Sequence, residues 1–290
     1  MTSELAFIDA LRRMATHPGA RNLDDDCAVI DIGGETLVLT HDMMAEGVHF
    51  LAEQDPADVA WKLVASNMSD LAAKGAEPVG VLLGYTLGGD DARFLAGLEE
   101  ALVHYRAPLL GGDTIADKGG RSMGLTAIGR ATFRPVPSRG GARPGDVLHV
   151  TGPLGGAMLG LEALRSGKGD SLAYRRPDAL VAEGIALAPH VTAMMDVSDG
   201  LLLDAARLAR ASGITLAIDG LAVPIATAEA RRNEALRWGD DYQLLFTAPA
   251  GAVLPIPAHA IGTAQLSGHV PLVLDGVPLS EKDGLGYEHR

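Results

Sequence analysis

Two α/β domains are predicted from three features of the sequence. Strand-like apolar runs alternate with helical stretches through both halves of the chain. At 290 residues the chain is too long for most single cores. Residues 134–145, RPVPSRGGARPG, are dense in Pro, Gly and Arg and form the strongest candidate boundary, so the expected domains are 1–137 and 138–290. With 47% hydrophobic residues, 21% charged and 36 glycines, the composition suits a folded, loop-rich protein.

Ser3 to about Thr16 reads as a helix: Ser3 can serve as N-cap, Leu5, Ile8 and Leu11 follow the helical period, and His17-Pro18-Gly19 ends it. Asn22 to Asp26 places three carboxylates directly before the strand-like Cys27–Ile30. Their mutual repulsion suits either a solvated acidic turn or a cation site. Gly33-Gly34 then turns the chain into Leu37-Val38-Leu39, a strand expected to end by presenting Thr40, His41 and Asp42, followed by Gly47 and His49. A carboxylate beside a hydroxyl at a strand end can hold a hard cation such as Mg²⁺, and an ordinary polar turn looks the same.

Asp55-Pro56-Ala57-Asp58 is a helix start and Gly75 its stop. At ~100° per residue, Val59, Leu63, Val64 and Leu71 share one stripe with Asn67 and Asp70. A carboxylate on a buried face near a helix C-terminus needs a cation, either a basic side chain or a metal. Residues 79–83 read as a buried strand and 91–106 as an amphipathic helix. Pro108-Leu109-Leu110 then leads into Gly111-Gly112-Asp113-Thr114, which repeats the apolar-strand-then-Asp-and-Thr arrangement with two glycines that admit a phosphate. Ser122 to Arg130 is a further strand.

The second half opens with a strand at 147–150 and a glycine loop, Thr151 to Gly156, before a helix. Such a loop can cradle phosphate or be a plain tight turn; the spacing of a P-loop is absent. Met194-Met195-Asp196-Val197-Ser198-Asp199-Gly200 precedes a helix from Leu201 to Ala211, for which Ser198 and Asp199 are good capping residues. Strands follow at 214–218 and 243–247, the latter preceded by Trp238-Gly239-Asp240-Asp241-Tyr242.

A formal charge of −13 disfavours nucleic acid and anionic membranes as partners, although bound cations would still let the protein take phosphates. A single cysteine, Cys27, allows no intrachain disulfide; the acid-bearing amino terminus is unlike a signal peptide, and no apolar run approaches a membrane span. A cytoplasmic protein is expected. Acids recur at six places (Asp25/Asp26, Asp42, Asp70, Asp113, Asp196/Asp199 and Asp240/Asp241), with no zinc spacing and no nucleophile elbow. All-oxygen ligands in that number point to Mg²⁺ and a nucleoside triphosphate, hence a phosphotransferase or ligase without a P-loop.

The ordered set Asp25-Asp26-Cys27-Ala28, Thr40-His41-Asp42 through Gly47-Val48-His49-Phe50, Asn67 to Pro78, Gly111-Gly112-Asp113-Thr114, Ser138 to Asp146, Asp196-Val197-Ser198-Asp199-Gly200 and Gly239-Asp240-Asp241-Tyr242 resembles the thiamine-monophosphate kinase family, of the aminoimidazole ribonucleotide synthetase-like superfamily. The resemblance spans nearly the whole chain. It implies a two-domain fold, with amino-terminal sheets paired in a homodimer and a carboxyl-terminal α/β sandwich domain. The implied activity is ATP-dependent phosphorylation of thiamine monophosphate, by direct in-line transfer with several Mg²⁺ ions. By the same resemblance, Asp26, Thr40, His41, Asp42, Asp70, Asp113, Asp196 and Asp199 would hold Mg²⁺. Gly112, Asp113, Arg139 and Ser198 would contact ATP, and His49, Asp240 and Tyr287 the thiamine monophosphate. Three positions depart from the family pattern: His41 stands for Ser or Thr, Asp240 for Glu, and Gly284 where an aromatic is usual, leaving Tyr287 or Trp238 to stack on thiamine. The rival expectations are another ATP-dependent enzyme of the superfamily acting on a different small substrate, and a non-catalytic Mg²⁺-ATP sensor.

Overall fold

The structure is a computed structural model that describes residues 4–116 and 119–288. Its first half is a five-stranded sheet backed by two helices. Helix α1 (Glu4–Arg12) is shorter than predicted, and Ser3 lies outside the described residues. Strands β1 (Ala28–Ile32) and β2 (Glu35–Ala45) form a hairpin through Gly33 and Gly34, both at positive φ. Helix α2 (Pro56–Ala73), strand β3 (Ala76–Leu87), helix α3 (Asp91–Tyr105), and strands β4 (Leu109–Ala116) and β5 (Ser122–Ala131) complete the domain, in the strand order β1-β2-β5-β3-β4.

Two strand ends lie elsewhere than predicted. β2 pairs with β5 from Leu37↔Arg130 through Ala45↔Ser122, so Thr40, His41 and Asp42 sit in mid-strand. The apolar run understates the strand because a sheet with one open face alternates apolar and polar residues. β4 likewise continues through Gly111–Thr114, paired in parallel with β3. Alternation then divides the presumed ligands: Thr40 and Asp42 face α2, whereas His41 faces the other way.

Helix α2 forms where its signals predict. Asp55 caps it by accepting the Ala57 N–H, Pro56 opens it, and Gly75 at φ +58 follows its end. Its side chains are buried nearly all round, because β2 and β5 cover one side while helices and a strand of the second half cover the other. At Gly97 of α3 a Cβ would lie 2.2 Å from the Ala57 carbonyl oxygen, so only glycine allows these two helices their approach.

The second half is a seven-stranded mixed sheet in the order β12-β11-β8-β10-β6-β9-β7. Its elements are β6 (Val147–Val150), α4 (Gly156–Ser166), α5 (Leu172–Arg175), α6 (Val181–Leu187), β7 (Ala193–Asp196), α7 (Leu201–Ser212), β8 (Thr215–Ile218), α8 (Arg232–Ala235), β9 (Leu244–Ala248), β10 (His259–Gln265), β11 (Leu272–Leu274) and β12 (Val277–Leu279). The short α5, α6 and α8 and the last three strands carry too few periodic residues to be read from sequence. Leu201, Leu202, Ala205 and Leu208 of α7 pack with Leu148, Leu216, Leu245 and Ile261 of the sheet. α7 starts at Gly200 (φ +111) without a side-chain cap, so the capping expected of Ser198 and Asp199 is not observed. Among the described residues no helix is long and apolar enough to cross a membrane.

Candidate active site

Three carboxylates from three elements converge where α2 meets both sheets. One ligand oxygen each of Asp26, Asp70 and Asp196 lies within 4.8 Å of the others. Asp70 comes from the last turn of α2, Asp196 ends β7, and Asp26 precedes β1. Thr40 donates its hydroxyl to Asp70 Oδ2, and Ser69 donates to Asp196 Oδ2 at 2.6 Å. Asn67 Oδ1 accepts the Asp42 N–H at 3.2 Å, which ties β2 to the same helix face.

The charge in this cluster is unevenly compensated. Lys74, fully buried, pairs with Asp25 Oδ1 at 2.5 Å and with Asp26 Oδ2 at 2.6 Å. Arg139 pairs with Asp26 and Arg21 with Asp25. Burial alone would raise Asp26, but Arg139 and Lys74 outweigh it and bring it down to about 2. No described ion pair reaches Asp70 or Asp196. Burial first, and then Asp42, Asp196 and Asp26, push Asp70 well above the usual carboxylate range. Burial and then Asp26 push Asp196 up to about 8. Asp42 is raised too, chiefly by burial. Asp196 Oδ1 is buried without a hydrogen-bond partner. An all-oxygen donor set short of positive charge, with an orphaned buried oxygen, fits Mg²⁺.

Beside this cluster lies a cavity of about 380 Å³ whose walls include His49, Tyr174, Ser198, Asp199, Trp238, Asp240 and Tyr287. The loops that build it interlock through their backbones. Asp240 N donates to Ser198 O at 2.8 Å, and Tyr287 N to Asp199 O at 2.9 Å. A Cβ on Gly239 would lie 2.3 Å from Ser198 O, and one on Gly286 2.3 Å from Asp199 O. Behind them the buried Asp204 carboxylate accepts the Ser198 and Asp199 amides at 3.1 and 3.0 Å, and Arg207 pairs with both Asp199 and Asp204. His49 Nδ1 accepts the Ala45 N–H at 3.1 Å, which leaves the ring proton on Nε2.

The structure thus brings Asp26, Thr40, Asp42, Asp70 and Asp196 into one cluster, with Arg139 against it. It gathers His49, Ser198, Asp199, Asp240, Tyr287 and Trp238 around one cavity. Three predicted residues fall outside. The His41 side chain does not reach the cluster: it bonds Thr126, its cross-strand neighbour on β5, on the face away from Asp70. Asp42, Leu125, Leu83 and Gly112 form one row across the sheet, so Gly112 stands three strands from Asp42, ~14 Å at the usual strand spacing. Asp113 lies in the next row, with Met43, Gly124 and Gly84, on the open face.

The glycine loop before α4 is no phosphate cradle, because Asp241 fills its amides, accepting Gly155 N at 2.5 Å and Ala157 N at 3.0 Å. Sequence reasoning missed Lys62, Lys74, Tyr174, Asp204 and Arg207. Lys74, on the stripe that carries Asp70, was the available signal for one of them.

Two family models match the chain: AIR synthase related protein, N-terminal domain, over residues 24–131, and its C-terminal domain over residues 143–260. The thiamine-monophosphate kinase of Escherichia coli (strain K12) is 36% identical, over 92% of this chain and 91% of that protein. The thiamine-monophosphate kinase of Caulobacter vibrioides is 41% identical over 77% of this chain and 67% of that protein. Among solved structures, "AaThiL complexed with AMPPCP and TMP" superposes with a TM-score of 0.88 at 30% identity, covering 99% of this chain and 97% of that chain. The hydrogenase maturation protein HypE in complex with ATP shares the fold, with a TM-score of 0.69 at 21% identity over 91% of this chain and 88% of that chain.

Proposed function

Since this chain belongs to the thiamine-monophosphate kinases of the AIR synthase-related family, we propose that it transfers the γ-phosphoryl group of ATP to thiamine monophosphate, yielding thiamine diphosphate, between the acid cluster and the 380 Å³ cavity. The observation that carries this assignment is their adjacency. The loop holding Asp196, Ser198 and Asp199 runs from the cluster into the cavity wall.

The cavity takes the thiamine monophosphate, with Trp238 and Tyr287 as the aromatic faces for its rings, Asp240 for polar contact and His49 Nε2–H as a donor. Arg139 and Ser198 stand on the nucleotide side. Asp26, Thr40, Asp42, Asp70, Asp196 and Asp199 would hold Mg²⁺, which when bound neutralises the converging phosphates. A terminal phosphate oxygen of the acceptor attacks the γ-phosphorus in line, the bond to the β-bridging oxygen breaks, and ADP leaves with that electron pair. The attacking oxygen is already largely ionised, so the chain needs no nucleophile and no obligatory base; its task is alignment and exclusion of water.

Gly112 and Asp113 are too far from the cluster to serve it within one copy. The open face on which Asp113 stands exposes Met43, Leu82 and Ile115. A second copy pairing through this face would cover it, and Asp113 would serve a site completed by two chains. This supports a homodimer; family matches that end at 131 and resume at 143 are consistent with domains divided at 137/138, and the single buried thiol of Cys27 suits a cytoplasmic enzyme.

A coupled ADP-release assay with Mg²⁺-ATP tests the function. ADP should appear with thiamine monophosphate, in step with thiamine diphosphate, and not with thiamine or buffer. Equal ADP release with all three would overturn the assignment.

A further inference from the structure

Lys62 is fully buried on α2, one stripe away from the metal-type acids, and has no part in the transfer described above. Its ammonium has three contacts, each from a different wall of the cavity. It donates to Asp240 Oδ2 at 2.7 Å and to the His49 carbonyl at 3.2 Å, and it lies 3.9 Å from the centroid of the Tyr174 ring. Three donors therefore meet three partners. Those partners are also tied to one another: Tyr174 donates its hydroxyl to the same His49 carbonyl at 3.0 Å, and Tyr242 donates to Asp240 Oδ1 at 3.1 Å. Both oxygens of Asp240 are thereby oriented, on a residue whose φ of +64 is rare without glycine and persists only where its surroundings impose it.

We propose that Lys62 is the positioning residue of the substrate cavity, fixing the Asp240 carboxylate and cancelling its charge so that an anionic phosphate ester with a cationic ring can enter. Asp240, the carboxylate on the cavity wall that is given no Mg²⁺ to hold, arrives already paired with the buried Lys62. Left bare, it would favour the cationic ring but repel the phosphate. Lys62 comes from the first domain, and Asp240 and Tyr174 from the second, so the same contact assembles the cavity from both. This inference rests on the reading of the cavity as the thiamine monophosphate site.

The test is steady-state kinetics on Lys62→Met, which keeps the length of the side chain and removes its charge, beside Lys62→Arg and His49→Ala. Loss of one charge-assisted contact should raise KM for thiamine monophosphate by about 10- to 100-fold, with KM for ATP within about twofold. Lys62→Arg should recover part of the loss. Adding Asp240→Asn to Lys62→Met should cost little more than either change alone, since both act through one carboxylate. A parallel rise in both KM values, or a fall in melting temperature with both KM values intact, would reduce Lys62 to a structural residue and overturn the proposal. His49→Ala separates the two levels. If it raises KM for thiamine monophosphate while Lys62→Met does not, the proposal alone fails. If neither variant moves that KM, the cavity is not the substrate site and the reading beneath it fails too.

Discussion

Asp70→Asn separates a metal ligand from a structural carboxylate. Asp70 has no cationic partner in any described ion pair, and it shares a space no wider than 4.8 Å with Asp26 and Asp196. Two ionised carboxylates at that separation repel by ~3 kcal/mol at an effective dielectric of about 20. In the metal-free protein, burial and this repulsion raise the proton affinities of Asp70 and Asp196. Asparagine is nearly isosteric and can still accept the Thr40 hydroxyl. In metal-free buffer the variant should therefore melt at the same temperature as the parent or slightly above it. With Mg²⁺ at 100 times its dissociation constant, the parent gains ~2.7 kcal/mol, about 5–10 °C at the usual conversion for large domains. Asp70→Asn should lose most of that gain and at least ~100-fold in turnover at limiting Mg²⁺. Melting curves with and without Mg²⁺, read beside ADP release, decide the matter. A variant that melts lower without metal, or keeps the full Mg²⁺ shift, would refute Asp70 as a ligand.

The same protons give a pH signature. Asp196 is held at about 8 against an ordinary value of 3.8, so between those values the native state binds more protons than the unfolded chain. Metal-free stability should therefore fall as pH rises from about 4 to about 8, and saturating Mg²⁺ should flatten or reverse the slope; urea midpoints at pH 5 and pH 8 measure it. Asp204→Asn removes a fully buried carboxylate from the Ser198 and Asp199 amides and from Arg207, and should cost about 2–3 kcal/mol of stability. An unchanged urea midpoint would place the loop's support in Gly200 and the 284–287 tail instead. Ile115→Arg, on the open sheet face, should give monomers by sedimentation and lose turnover; an active monomer would remove any need for Asp113 from a second chain.

Most of the site's chemistry was legible because carboxylates beside glycine and hydroxyl residues are conspicuous in an acidic chain. The helix carrying Asn67 and Asp70 could be placed from Asp55-Pro56 and Gly75 alone, and its stripe put both residues on the face they occupy. Strand length was less legible. Thr40 to Asp42 looked terminal because the apolar run stops at Leu39, whereas backbone pairing with β5 is blind to side-chain polarity. That extension turns the His41 side chain to the face away from Asp70. The cations were least legible. Lys62, Lys74 and Arg207 look like solvated residues in sequence, and only the fold shows that each is spent on a particular carboxylate 178, 49 or 8 positions away.

Helix α2 carries Lys62 beside the 380 Å³ cavity and, one to two turns later, Asn67, Ser69 and Asp70 at the acids, all within a rod buried nearly all round. One inserted or deleted residue between Lys62 and Asp70 would rotate the two ends ~100° relative to each other and unmake one site or the other. The rod therefore works as a common ruler and cannot be retuned at one end alone. The 238–242 loop is tied to that ruler through the Lys62–Asp240 pair, whereas the 284–287 tail packs on the Asp199 loop. A change of sequence in the 238–242 loop therefore has to leave Lys62 a partner for its buried charge.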